Sequence, residues 1–281
     1  MVNRARQKQE RTARCWIELD QESASDVLLE LSGNGTPGFE GGEEQADQAS
    51  EKLRQELVGL QERLYAEAKH KVLIVLQAMD TGGKDGAIRK VFSGVNPQGV
   101  DVARFEAPSA TELAHDYLWR VHQKVPPKGK IVVFNRSHYE DVLVVRVNDL
   151  VPPAVWKKRY EHLRNFEQML VDEGTTILKF YLHIDAQEQR ERLQARLDEP
   201  QKIWKFDEHD LEQRKHWKEY MRAFRDAIVK THQKDAPWFV IPANRKWFRD
   251  YAILTILVDA LKKLDPQFPK PHVDPATIRI V

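Results

Sequence analysis

Residues 71–86 read KVLIVLQAMDTGGKDG, an apolar run rich in β-branched residues that meets a glycine turn and then a helix-compatible segment, Ala87 to Phe92. Strand, loop and helix in that order form the context in which a glycine-rich turn cradles phosphate. Glycines let backbone N–H groups point inward, and the helix N-terminus adds partial positive charge. A lysine then reaches the terminal phosphates. Gly82, Gly83 and Lys84 supply these parts. Against the pattern G-x-x-x-x-G-K-[ST], Ala78 stands where the first glycine belongs and Asp85 where a hydroxyl residue belongs. The plainer alternative is a strand-to-helix turn capped by Asp85. Asp80 resists that reading, because a carboxylate at the tip of a buried strand is costly unless hydrogen bonds or a cation satisfy it. Magnesium is the natural cation, and through it Asp80 would hold phosphate oxygens instead of repelling them.

Four more short runs share the character of 71–77: 101–106 (DVARFE), 131–134 (IVVF), 176–184 (TILKFYLHI) and 238–241 (WFVI). Between them lie stretches of helical period, among them Leu113, Tyr117 and Val121, and later Trp217, Tyr220, Met221, Phe224 and Ile228. Strands alternating with helices predict an α/β fold with a mainly parallel, five-stranded sheet covered on both faces. Ala49, Leu53, Leu57, Leu60 and Leu64 place one apolar stripe on a helix that starts near Ala49. The preceding SGNGTPGFEGGEE predicts an extended arm with turns. No repeat and no linker marks a second domain. Residues 190–230 are charge-rich and helical and are expected to project as a lid.

Lys+Arg number 44 and Asp+Glu 43 in 281 residues, a net charge of +1. That balance argues against a bulk nucleic-acid binder or a membrane-surface protein, so any acidic ligand must be held by local clustering. The single cysteine, Cys15, excludes an internal disulfide. The start carries no apolar signal segment, and no apolar run is long enough to span a bilayer. A cytoplasmic protein is expected.

The third run leads into FNRSHYED, residues 134–141, at the strand end where open α/β sheets place ligands. Arg136 can grip phosphate with two parallel hydrogen bonds, and Glu140 or Asp141 could complete a magnesium shell. Alternatively the two acids merely open a solvated helix. His138 reads as a structural or hydrogen-bonding residue and not as a base. An acceptor phosphate is already anionic, so little general base is needed. Further on, Arg192 and Arg196 fall four apart on one helix face, with Lys202 and Lys205 beyond the Pro200 break. A charge run can be a solvated face. In a lid, the same cations would close over a transferring phosphoryl group, each charge-assisted contact being worth about 1.5–3 kcal/mol.

Taken together, AMDTGGKDGAIRKVFSGVNPQGV, APSATELAHDYLWR, FNRSHYEDVLVVRV, DEPQKIWKF and APWFVIPANRKW resemble the polyphosphate kinase 2 family over about residues 50–265. The resemblance implies a P-loop kinase-like three-layer α/β/α sandwich with a helical lid. Residues 1–48 would form an N-terminal arm, and 49–281 the kinase domain with its lid over about 190–220. It implies reversible transfer of the terminal phosphoryl group of inorganic polyphosphate to AMP or ADP, giving ADP and ATP. Mg²⁺ is the expected cofactor, with Mn²⁺ as a possible substitute, and a homodimer or homotetramer the expected assembly. Position by position, Asp80 and Lys84 match the first motif's acid and lysine, Arg136 the second motif's arginine, and Arg192 and Arg196 the lid. Gly82, Gly83, Lys84, Asp85, Arg89, Arg120, Arg146, Lys202 and Lys205 are the expected phosphate and nucleotide contacts. Members acting mainly on nucleoside diphosphates often carry Asp where this chain has Asn135. The metal is therefore expected on Asp80 and Glu140, and the chain resembles the subgroup accepting both AMP and ADP. Two other readings remain, an ATP-dependent nucleoside or nucleotide kinase and a non-catalytic polyphosphate- or nucleotide-binding regulator.

Overall fold

Side chains of a strand alternate between faces, so a strand buried on both sides needs apolar residues at every position. In β1 (Lys71–Gln77), Leu73 and Val75 join one apolar cluster while Val72, Ile74 and Leu76 join another on the opposite face. The computed structural model of the chain describes residues 32–273 and 278–280. Cys15 and residues 1–31 of the expected arm lie outside the described residues. β2 (Val100–Arg104), β3 (Lys130–Asn135), β4 (Thr175–His183) and β5 (Trp238–Pro242) complete a five-stranded sheet in the order β2-β3-β1-β4-β5, every pair parallel.

Helices α1 (Glu43–Glu67), α2 (Lys84–Val91) and α10 (Lys246–Leu264) cover one face, through residues such as Leu57, Ala87 and Leu257. The other face is covered by α6 (Pro153–Asp172) and α9 (Trp217–Thr231), through residues such as Leu163 and Phe224. Short helices α3 (Ala110–Leu113), α4 (Trp119–His122) and α5 (Val144–Val147) and a 3₁₀ turn, His138–Asp141, gather at the carboxyl ends of β2 and β3. After β4 come α7 (Ala186–Asp198) and α8 (Glu208–Lys215), in the charge-rich segment expected from the sequence to act as a lid. The three-layer α/β/α sandwich expected from the sequence is what forms.

Two local expectations need correction. α1 begins at Glu43, ahead of Ala49, because the Gln45 side chain accepts from Gly42 N at 3.0 Å and Glu43 and Glu44 complement the helix dipole. The stretch through Leu113, Tyr117 and Val121 is two single turns, since the Asp116 side chain accepts from Leu118 N at 3.0 Å and diverts the backbone. Residues 32–42 run as turns without helix or strand, as expected, and are tied down at two points: Gly33 N donates to Asp185 Oδ1 at 3.1 Å, and Phe39 lies 4.6 Å from the Tyr251 ring. Phe248 belongs to the core, and Val144 and Val145 line a cleft.

Candidate active site

The chain's loops after β1 and β3 meet because those strands are neighbours in register, Leu76 against Asn135. Gly83 has φ +97°, a left-handed conformation that side-chain-bearing residues avoid, and a β-carbon there would lie 2.2 Å from Arg249 Nη1. The turn thus admits a guanidinium against its backbone. Lys84 opens α2, is buried, and donates from Nζ to Ala78 O at 3.0 Å. Burial and the neighbouring Arg136 lower its pKa, against the pull of Asp80 and Glu140. Arg136 also adopts a left-handed backbone, φ +61°, with its N–H on Leu76 O at 3.2 Å. That geometry aims its side chain back across the sheet end, where Nη2 donates to Asp80 Oδ1 at 2.6 Å.

Glu140 projects from the 3₁₀ turn into the cleft shared with Asp80 and Arg136. Burial raises its pKa and Asp80 adds to the rise, while Arg136 and Lys84 hold it down. Asp80 and Glu140 could hold a hard divalent cation. Mg²⁺ takes oxygen donors and uses one or two carboxylates plus substrate phosphates, which is the donor set present. Among the described residues no three His, Cys, Asp or Glu side chains form a ready-made metal cage. Asn135 plays a different part, donating from Nδ2 to Asp85 Oδ1 at 2.6 Å and so tying the end of β3 to the first turn of α2. Asp141 pairs with Arg159 at 2.8 Å, and burial nonetheless lifts its pKa to about 6.

The expected cations divide. Arg192 is drawn to the turn, donating from Nη1 to Thr81 O at 3.0 Å and from Nη2 to Ala243 O at 2.7 Å. Arg196 instead braces the lid internally, on Asp210 Oδ2 and Lys205 O, each at 2.8 Å. Lys202 pairs with Glu199, and Lys205 lies 5.0 Å from the Trp204 ring. Arg120 lines the cleft and donates to Glu106 O at 2.8 Å. Arg89 is exposed on α2. Arg146 does not line the cleft, being engaged by Asp226 at 2.7 Å and Tyr160 at 3.2 Å.

Two cations the sequence reading missed stand at the turn, Arg249 and Lys246. Burial lowers the pKa of Lys246, and Arg192, Lys202 and Arg249 lower it further against the pull of Glu188, so four cations converge, three of them paired: Arg192 with Glu188, Lys202 with Glu199 and Arg249 with Asp250. Their signal was available: NRKWFR, residues 244–249, directly follows β5 at the carboxyl edge. A third omission is Asp210, which α8 brings into the cleft near Asp80; burial and then that carboxylate raise its pKa. The cleft itself is about 820 Å³, within the range of small-molecule sites, and sets Asp80, Arg136 and Glu140 beside an apolar wall of Leu113, Tyr117, Val144, Val145 and Val151. Arg192, Lys202, Lys246 and Arg249 are not among its lining residues. The turn therefore has an acidic, partly apolar side and a basic side.

The sequence model of the family described as Polyphosphate kinase 2 matches residues 41–269. The AMP/ADP-polyphosphate phosphotransferase of Meiothermus ruber is 61% identical over 245 residues, covering 87% of this chain and 92% of that one. The ADP-polyphosphate phosphotransferase of Rhodopseudomonas palustris is 45% identical over 226 residues, covering 76% and 78% respectively. The crystal structure of Polyphosphate Kinase 2 from Arthrobacter aurescens is similar with a TM-score of 0.86 and 39% identity, over 93% of this chain and 96% of that one.

Proposed function

The chain belongs to the polyphosphate kinase 2 family and is a polyphosphate-dependent nucleotide phosphotransferase, and on that premise we propose how its residues divide the work. The nucleotide, AMP or ADP, enters the cleft of about 820 Å³, its nucleoside against the apolar wall and its terminal phosphate toward Arg136. Polyphosphate approaches from the other side of the glycine turn, along Arg192, Lys202, Lys246 and Arg249. The observation that carries this division is that cationic cluster at Gly83, where β-carbon space is taken by Arg249 Nη1 at 2.2 Å and Arg192 Nη1 at 3.4 Å. Although Glu188, Glu199 and Asp250 each pair with one of these cations, four cations gathered beside one turn favour a polyanion, and a chain of phosphates supplies one charge after another.

Transfer of a phosphoryl group demands positioning and charge neutralisation more than covalent chemistry. Lys84 and the turn's backbone N–H groups hold the donor's end unit. Arg136 spans from the Asp80 carboxylate toward the acceptor phosphate, so one guanidinium orients both partners. Asp80 and Glu140 would hold Mg²⁺, with Mn²⁺ as a substitute. When bound, the ion supplies neutralisation of the developing phosphate charge. Lid helices α7 and α8 shield the site from water, and the reaction runs in either direction. The chain works in the cytoplasm as a homodimer or homotetramer; among its described residues no helix is long and apolar enough to cross a membrane.

The test is a reaction with ADP, Mg²⁺ and long-chain polyphosphate in the absence of ATP. ATP production supports the proposal. No product there, but ADP formed from AMP when ATP is the donor, would replace it with an ATP-dependent kinase. Nucleotide binding without turnover on either donor would replace it with a regulator.

A further inference from the structure

Lys179 occupies the middle of β4, on the face where Ile177 and Tyr181 enter the apolar core, and it is fully buried. Its ammonium lies 2.5 Å from Glu167 Oε2, a carboxylate on α6 that is likewise fully buried. Replacing a buried ion pair with apolar groups of similar volume is often neutral or stabilising, so packing alone does not call for this one. Where the pair's remaining bonds go is informative. Glu167 Oε1 accepts from Tyr139 Oη at 2.8 Å and lies 3.2 Å from His138 Nε2. Tyr139 Oη also lies 2.8 Å from Thr231 Oγ1, and Lys179 Nζ reaches Tyr139 Oη at 3.1 Å and Thr231 O at 2.8 Å. Groups on α6, β4 and α9 thus converge on two consecutive side chains, His138 and Tyr139.

Those side chains belong to the 3₁₀ turn whose next residue is Glu140. His138 and Tyr139 point down into the core while Glu140 points up into the cleft. The turn's backbone is held by Glu140 N to Ser137 O and Val142 N and Leu143 N to Tyr139 O, each 3.0 Å, by Leu143 N to Glu140 O at 3.2 Å, and by Tyr139 N to the Ser137 hydroxyl at 3.2 Å. His138 leaves Nδ1 buried without a partner and is anchored through Nε2 to Glu167. A short turn of this kind has little rigidity of its own, and a carboxylate displaced by about 1 Å can cost a hundredfold in rate.

We propose that Glu167 and Lys179 form a buried clamp that positions Glu140, acting through His138 and Tyr139. Neither touches the substrates. The clamp rests on the reading that Glu140 acts in the cleft, and Glu140→Gln tests that reading by itself.

The experiment uses the full chain carrying Glu167→Gln together with Lys179→Met, which removes both charges at nearly constant volume. The clamp predicts cooperative unfolding near the wild-type temperature and a kcat lowered about tenfold, with KM for nucleotide and polyphosphate within about twofold. In the ligand-free protein, amide hydrogen exchange at Glu140, Val142 and Leu143 should quicken about tenfold while β1 and β5 exchange as before. Unchanged kcat with unchanged exchange at those amides overturns the clamp. So does exchange that quickens equally throughout the sheet, which marks general stability. Should the double variant fail to fold, Tyr139→Phe carries the same test with both charges kept: local loosening and reduced kcat support the clamp, and wild-type values for both overturn it. Full activity in Glu140→Gln would overturn the reading on which the clamp depends.

Discussion

Lys84 has its ammonium buried against the Ala78 carbonyl with burial already depressing its pKa, so its charge is held ready at some cost for an anion to offset. Lys84→Ala is expected to lower kcat about 100- to 1,000-fold, the usual loss when one preorganised donor is removed, with the melting temperature preserved. Steady-state kinetics beside a thermal melt check both halves. Glu167→Gln alone should behave oppositely on stability, because it strands the Lys179 ammonium in the core: a loss of about 3–5 kcal/mol in urea unfolding, largely recovered when Lys179→Met is added. That Asp80, Lys84 and Arg136 converge was legible because Asp80 and Arg136 follow strand ends and Lys84 opens the next helix, all within spaced motifs. Arg146 was read as a phosphate contact on charge alone, and the structure gives it to Asp226 and Tyr160. The buried pair left a signal that went unread: Lys179 interrupts an otherwise apolar strand, and Glu167 interrupts the stripe of Leu163, Phe166 and Leu170. Two charges in apolar patterns require each other, but nothing in their spacing says so.

Among elements, the glycine turn and the lid set the site's shape. Gly83 and Gly174 both have positive φ, +97° and +80°, so alanine at either should cost about 1–2 kcal/mol of backbone strain. They differ in surroundings. A β-carbon at Gly83 meets Arg249 Nη1 at 2.2 Å, whereas nothing lies within 4 Å at Gly174. Gly83→Ala is therefore expected to raise KM for polyphosphate and lower kcat, and Gly174→Ala to leave both unchanged. Paired denaturation and kinetic measurements separate the two outcomes. Strand positions were legible because apolar runs of that length and β-branched content have few other uses. The broken helix at 114–118 was not, since the Asp116 side-chain bond to Leu118 N competes locally with helical periodicity. That the charge-rich helical segment follows β4 was expected from the order of elements. Its attachment through Arg192 to the Thr81 and Ala243 carbonyls was not, because it joins strand ends far apart in the chain.

For the molecule as a whole, the parallel sheet brings three loops to one edge, after β1, β3 and β5, where the proposed division of the site would have the substrates meet from two sides. Because the proposed ligands Asp80 and Glu140 would leave most of a hard cation's shell to substrate and water, chelation of Mg²⁺ should abolish turnover while leaving the thermal transition nearly unshifted; a large fall in melting temperature would instead indicate a metal built into the fold. One cleft serving both acceptors also predicts that two successive transfers occur on the same protein. The most direct measurement is a time course with AMP, Mg²⁺ and excess polyphosphate as the only donor, all three nucleotides being quantified. ADP should rise first and then fall as ATP accumulates, and Lys84→Ala should suppress both steps; AMP persisting unchanged beside intact polyphosphate would contradict the account.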